Sequence, residues 1–224
     1  MAHSAWRFTL LNGAVWDRIV LVEMTITIRS SLFSGLLLLS AIGSNTPAIQ
    51  LSQQDGDRLE RKLEVITKNG ASRPVKPGKT PVSENEVNSY LAFNAKDRIP
   101  PSLTNPRITL VGDGRLAGRV LVDLDEFKRN RSPQGLMDPL RYISGKVPVT
   151  AHGIFRTKEG IGRFQLGSAE IHGLPLPKPI LQELVSFFSR TPENPQGFDI
   201  DAPFNLPANI REIAVNKGEA VIVQ

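Results

Sequence analysis

Apolar and polar residues alternate most clearly between positions 147 and 171. Two strand-like runs, Val147–Arg156 and Ile161–Ile171, flank a turn at Lys158–Gly160. In the second run, apolar residues are interleaved with Gly, Gln, Ser and Glu, which is typical of a strand with one buried face. The alternation changes phase at Gly167-Ser168, as one extra residue in a strand would cause. We predict an antiparallel hairpin with a bulge in its second strand.

A proline-rich elbow follows this hairpin and leads into an amphipathic helix. Each proline of the elbow Leu174–Pro179 lacks the N–H that a sheet requires, so the chain leaves the sheet here. Pro179 suits the first turn of a helix, where a missing N–H costs nothing. Six apolar side chains then recur at helical spacing, opposite a polar side with Gln182, Glu183 and Ser186. The six are Ile180, Leu181, Leu184, Val185, Phe187 and Phe188.

Two further helices and a linker are predicted before the hairpins. Ser83 and Glu86 have the spacing of a capping box, so a helix is expected over Ser83–Ala95. The segment Asp55–Asn69 carries a short amphipathic stripe and ends before a glycine, as helices often do. Between them, Ala71–Val82 is rich in proline, glycine and lysine and is interpreted as an exposed linker.

Two more hairpins are predicted. Alternating runs over Arg107–Phe127 turn at Gly112–Gly114, because Asp-Gly tolerates a positive φ. A last hairpin joins Ile210–Asn216 to Glu219–Val223. Together these elements predict an α+β fold in which a long curved antiparallel β-sheet is wrapped around the amphipathic helix.

Composition and charge remove several classes of protein. The 224 residues include no cysteine, which excludes disulfides, thiolate metal sites, a cysteine nucleophile and a lipid-bearing cysteine anchor. Seventeen prolines and eighteen glycines favour many turns and a β-rich fold. The net charge is +5, but aromatic residues make up only 6% and no arginine-rich helix is present. We therefore expect no nucleic-acid partner.

The N-terminal region is interpreted as an export signal. Arg29 precedes the apolar run Leu32–Ile42, which has the length of a signal-peptide core and is short for a spanning helix. We divide the chain into 1–48, an over-long extension with the signal starting near Met24; 49–82, a short helix and linker; and 83–224, an α+β domain. The expected location is periplasmic or secreted. A signal anchor in the inner membrane and a buried helix are the alternatives.

Few residues offer chemistry. Asp123 and Asp125 are predicted to share one strand face, either as an acid/base pair or cation site or as a solvated surface. His152 and His172 could bind a metal, although no further ligand stands at a suitable spacing. No nucleophile elbow, phosphate loop or dinucleotide fingerprint is present. We expect no catalytic residues, no metal, no cofactor and no enzyme activity, with a hydrolase kept as a further alternative.

A basic segment follows the first predicted hairpin. It contains Lys128, Arg129 and Arg131 at the end of a strand. Such a cluster could contact anionic lipid head groups, or it could be an ordinary charged turn.

Three segments carry a resemblance to a known family: Ser83–Leu91, Gly173–Leu181 and Phe204–Val215. Their order, over about 83–224, resembles tubular lipid-binding (TULIP-like) proteins of the bacterial envelope, of the small periplasmic type. The resemblance implies a non-enzymatic exported protein that binds or shuttles a lipid acyl chain between sheet and helix, with the six apolar helix residues lining the groove. The residues alone leave an alternative open: all six are plain core, and the protein is a structural or interaction module of the envelope with a filled core and no ligand.

Overall fold

The computed structural model describes residues 50–130, 139–192 and 194–224. The predicted extension and export signal at 1–48 lie outside the described residues, as does Arg131. The helices are α1 (Gln53–Ala71), α2 (Glu84–Phe93), α3 (Leu124–Arg129) and α4 (Lys178–Phe188). The strands are β1 (Lys79–Ser83), β2 (Leu103–Gly112), β3 (Arg115–Asp123), β4 (Lys146–Lys158), β5 (Ile161–Ile171), β6 (Leu174–Pro175), β7 (Phe204–Asn205), β8 (Glu212–Asn216) and β9 (Glu219–Val223). Short 3-10 turns lie at Lys96–Arg98 and Pro139–Tyr142.

Two antiparallel sheets form the β part of the fold. The larger has the order β2-β3-β4-β5-β6, with β7 also paired to β5, and the smaller has the order β1-β9-β8. Thr157 joins them, because its hydroxyl donates to Ile213 O at 3.1 Å and accepts from Ile213 N at 2.8 Å. The predicted α+β class and the large antiparallel sheet are confirmed. The sheet is open and uncurled, so the predicted wrapping of a curved sheet around the helix is not observed.

The central hairpin matches its prediction closely. β5 spans the predicted residues, and the β4–β5 register shifts where the bulge was expected. His152 pairs with Ser168 and Gly153 with Leu166, which leaves Gly167 as the extra residue. Because the extra residue is in β5, the side chains of β4 alternate between the two faces of the sheet without interruption. The odd-numbered positions of β4 from Val147 face the core, and its even-numbered positions form the outer face of the sheet.

The predicted capping box is present and is tied to α1. Ser83 Oγ accepts from Glu86 N at 3.2 Å, and Glu86 Oε2 accepts from Ser83 N at 2.8 Å. The Glu86 carboxylate is buried and lies 2.8 Å from Lys62 Nζ. The same contacts that start α2 therefore hold it against α1.

Two predicted elements differ in the structure. The linker prediction is wrong at its end, because β1 pairs in register with β9. The first hairpin was predicted to run to Phe127, but β3 stops at Asp123 and α3 begins. The Asp123 side chain accepts a hydrogen bond from Asp125 N, so Asp123 caps the start of α3, and the strand does not continue past it.

One core unites the elements. Leu59, Leu63 and Ile66 on α1 lie in the same buried cluster as the sheet residues and α4. The sheet contributes mainly Val120, Val122, Val147, Val149, Ala169 and Ile171. Residues 50–82 thus share their core with the segment 83–224. In the part of the chain that the structure describes, no helix has the length and hydropathy needed to span a membrane.

Candidate functional site

Helix α4 begins at the proline elbow, and half of its predicted site residues enter the core. Pro177 O accepts from Ile180 N at 3.0 Å and from Leu181 N at 3.1 Å, which closes the first turn. Ile180, Leu181 and Leu184 are exposed by only 8%, 5% and 3%. Their side chains contact other protein groups, so in this structure they contribute to packing.

The other three predicted residues, Val185, Phe187 and Phe188, remain partly exposed while they pack against the core. The Phe187 and Phe188 rings meet edge to face with centroids 4.9 Å apart. Both also contact the buried ring of Phe127 on α3, at 5.3 Å and 6.2 Å. We call these three rings the aromatic junction. It presents apolar surface to solvent where α3 and α4 meet.

One basic side chain contacts the aromatic junction. The Arg190 guanidinium carbon is 5.7 Å from the Phe187 ring centroid, within range of a cation–π contact. Arg129 is exposed in the last turn of α3, two positions after Phe127. Lys128 is held within the protein, since its Nζ donates to Ile143 O and, at 3.4 Å, to Ser144 Oγ. The described part of the predicted basic segment, Lys128 and Arg129, therefore belongs to the same helix as Phe127.

The polar side of α4 is contacted by the described residues of the segment 189–201 (all but residue 193), which we call the return segment. Gln182 spans it, since its Nε2 donates to Phe198 O and its Oε1 accepts from Ile200 N, both at 2.9 Å. Ser189 Oγ accepts from Phe198 N at 2.6 Å. Gln182 and Ser189 therefore bond α4 to the return segment. The candidate binding surface lies on the partly exposed apolar side of the helix.

A second aromatic group lies near the end of β4. Phe155 stacks on Phe204 with centroids 6.1 Å apart, and Phe198 meets Phe204 at 5.6 Å. A Cβ added to Gly162 would come within 2.8 Å of the Phe204 ring, so glycine lets this ring approach the sheet. Within the described residues, no strand pairs with the outer edge of β5 over 163–168, between β7 and β6. We call this stretch the β5 gap.

The predicted chemical residues stand apart from one another. Asp123 and Asp125 do not share a strand face, because one caps α3 and the other accepts from Gly145 N at 3.1 Å. His152 is exposed on β4, and His172 lies after β5 with a φ of 52°. No group of three or more His, Cys, Asp or Glu in the described ranges could hold a metal ion.

The contribution of Phe127 to the site was not predicted. It was assigned to the end of a hairpin, where its contact with α4 could not be foreseen. A signal was available: Asp123 is followed three residues later by Glu126, the spacing of an N-cap and a first-turn acid. That pattern marks α3, and the helix places Phe127 in the core.

Comparison with protein-family models, with curated proteins and with solved structures finds no match to this chain.

Proposed function

We propose that this is a non-enzymatic lipid-binding protein whose ligand lies at the aromatic junction. The observation that carries the proposal is that Phe187 and Phe188 stay partly exposed although they pack on buried Phe127 and on the core. An acyl chain laid on these rings and on Val185 would remove apolar surface from water, the main favourable contribution to binding an apolar ligand.

Two exposed arginines suit a lipid with an anionic head group. Arg190 is exposed above the Phe187 ring, and Arg129 is exposed on the helix that carries Phe127. A guanidinium binds a phosphate or carboxylate with two parallel hydrogen bonds, so either residue suits the acidic end of the ligand. We therefore propose a fatty acid or an acidic phospholipid as the ligand.

The open sheet changes the form of the proposal. A tubular lipid-binding protein encloses its ligand between a curled sheet and a helix, whereas the sheet here is uncurled and three of the six helix residues are buried. We propose that the chain belongs to a TULIP-like lipid-binding group in function and holds its ligand at the surface junction of α3 and α4.

We place this protein in the cell envelope, exported as a periplasmic or secreted protein or retained by a signal anchor. The basis is Arg29 and the apolar run Leu32–Ile42. N-terminal sequencing of the native protein tests this: a mature chain starting near Ile49 supports export and cleavage, and a chain that retains residues before Met24 overturns the start site.

A fluorescent fatty-acid probe tests the lipid site. We expect the purified protein to bind the probe and to lose affinity when Phe187 and Phe188 are both changed to Ser. Phe93→Ser is the control, since Phe93 is 40% exposed on α2 and forms no ring contact with the junction among the described residues, and it should leave binding unchanged. Arg190→Gln should lower the affinity for a fatty acid more than the affinity for its methyl ester, because the ester carries no charge for the arginine to neutralise.

Two results would contradict the lipid site. A protein that neither carries extractable lipid nor binds the probe is not a lipid-binding protein of this kind. Equal loss of probe binding in the control and the junction variants would mean that the probe reports general surface hydrophobicity. A lipid that does bind should raise the melting temperature of the wild type and not of the double variant, because it stabilises only the native state.

The β5 gap favours a second function, an interaction module of the envelope that pairs with an extended segment of a partner. Unpaired strand edges are templates for such pairing. A photo-crosslinking residue at exposed Gln165, compared in cells with one at exposed His152, separates the two functions. One defined partner crosslinked at Gln165 alone supports the module, and identical patterns at both positions contradict it.

A further inference from the structure

The outer face of the large sheet carries two directly opposed arginine pairs. Arg107 on β2 lies opposite Arg119 on β3, and Arg156 on β4 lies opposite Arg163 on β5. All four side chains are exposed. Directly opposed like charges destabilise a sheet, so folding stability does not account for these pairs.

The four arginines are not neutralised by an acid within the described part of the chain. None of the ion pairs among the described residues involves any of the four. Glu170 shares the row of Arg107 and Arg119, but Thr150 on β4 stands between it and Arg119. The charge on this face is therefore available to an anionic partner.

The two pairs are widely separated on the sheet. Thr150 pairs with Arg119, and Arg156 lies further along the same strand. At about 3.4 Å per residue, the pairs are roughly 20 Å apart, too far for one small anion to bridge. An extended anionic surface fits this spacing.

An exposed apolar residue lies on the same face. Ile161, opposite Lys158 at the start of β5, is 43% exposed. Apolar side chains beside basic ones are typical of surfaces that sit at a membrane interface. The described strand residues of this face include His152 but no Phe, Tyr or Trp, so a series of large aromatic rings on which the bases of a single-stranded nucleic acid could stack is missing there.

We propose that this basic face, defined by Arg107, Arg119, Arg156 and Arg163 with Ile161, docks on the surface of an anionic phospholipid bilayer. The sheet is open and uncurled, which allows both arginine pairs to reach a flat surface together. This inference does not rest on the lipid site, because the face lies on the side of the sheet opposite the core that holds α3 and α4.

Vesicle co-sedimentation of the full chain tests the proposal. Vesicles of phosphatidylcholine alone are compared with vesicles that also contain phosphatidylglycerol, and the difference isolates the charge-dependent part. The apolar run Leu32–Ile42 is common to all variants and cancels in that difference. The test variants are Arg107→Gln with Arg119→Gln, and Arg156→Gln with Arg163→Gln.

Each arginine near an anionic membrane contributes about a fivefold increase in partition, so each double variant should bind phosphatidylglycerol vesicles about 25-fold more weakly. Its melting temperature should be equal to or above that of the wild type, since an opposed pair is removed. The control changes exposed Arg61 and Lys68 on α1 to Gln, which removes the same charge elsewhere and should leave partition near the wild-type value.

Three results would overturn the docking surface. One is equal binding of the wild type to both kinds of vesicle. Another is an equal loss in the α1 control, which would mean that net charge alone drives partition. The third is tighter binding to single-stranded DNA than to phosphatidylglycerol vesicles, lost in the same arginine variants, which would assign the face to nucleic acid. Probe binding at the aromatic junction should be unchanged in the arginine variants, so failure here and failure of the lipid site are distinguishable.

Discussion

Asn88 on α2 pairs with the backbone of Ile108 on β2 through both ends of its side-chain amide. Asn88 Nδ2 donates to Ile108 O at 2.7 Å, and Ile108 N donates to Asn88 Oδ1 at 2.8 Å. One turn earlier on the helix, a Glu84 carboxylate oxygen accepts from Leu110 N at 2.7 Å. β2 is an edge strand of the large sheet. Two helix side chains therefore take the place of a neighbouring strand and close an edge that would otherwise be open to pairing.

Asn88→Ala should destabilise the protein strongly. Asn88 is only 1% exposed, so its replacement leaves the N–H and C=O of Ile108 without partners beside a buried position. Two unsatisfied backbone groups cost about 2–6 kcal/mol together. Urea denaturation measures this loss, and hydrogen exchange should show the Ile108 amide exchanging faster than in the wild type.

Asn85→Ala on the same helix is the control. Its amide donates to Asp55 at 2.7 Å and pairs with no strand. We expect a loss of about 1 kcal/mol, the ordinary net value of one hydrogen bond. Equal effects of the two substitutions would contradict a special role for the edge closure.

Leu184 and Phe188 should respond differently to truncation. Leu184 is 3% exposed in the core, so Leu184→Ala should cost about 2–5 kcal/mol, and Leu184→Trp should overpack at a cost of about 1–3 kcal/mol. Phe188 is only partly buried, so Phe188→Ala should cost less than the roughly 3–5 kcal/mol of a filled core. Thermal melts measure both. A full core penalty at Phe188 would mean that its ring is not available to a ligand.

Gly197→Ala should detach the return segment from α4. Gly197 has a φ of 74°, and an added Cβ would lie 2.0 Å from Ser186 O. Gly218 has the same φ with no atom within 4 Å of the added Cβ, which makes Gly218→Ala a matched control. We expect about 1–2 kcal/mol for the control, from the left-handed backbone alone, and a larger loss at Gly197. Similar losses measured by denaturation would show that the segment yields freely.

The Asp57 carboxyl should titrate below its usual range. The Asn94 amide donates to it at 2.9 Å and is the main reason that its pKa is lowered from 3.8, with Gln53 a smaller cause. Because the folded pKa is the lower one, this stabilisation is complete above 3.8 and is lost as the pH falls through the folded value. NMR titration should place the pKa below 3.8 and move it back towards 3.8 in Asn94→Ala. No movement in that variant would refute the assigned cause.

Local signals were sufficient for much of the fold. The phase change at Gly167-Ser168 located the bulge, and the Ser83–Glu86 spacing located the start of α2. Such features depend on neighbours within a few residues, so they can be read from the chain. β1 was missed because its pairing with β9 joins distant segments, and its Pro81 argued for a linker.

The candidate site could be predicted only in part. The helical spacing of the six apolar residues identified the helix, but the same spacing occurs in a buried helix and in a ligand site. Their division followed from the neighbours that the fold supplied. Phe127 on α3 packs against Phe187 on one side of α4, and the return segment bonds to Gln182 on the polar side.

The sequence by itself determined the periodicities, the turns and caps, the lack of cysteine and the positive charge, because each depends on residue type and short-range backbone geometry. Only the tertiary structure decided that the sheet stays open, that Leu184 is buried while Phe188 is partly exposed, and that four arginines form two opposed pairs. Strand register and helix docking bring together residues far apart in the chain. No local pattern specifies which of them meet, because that choice is made by the free energy of the whole packed core.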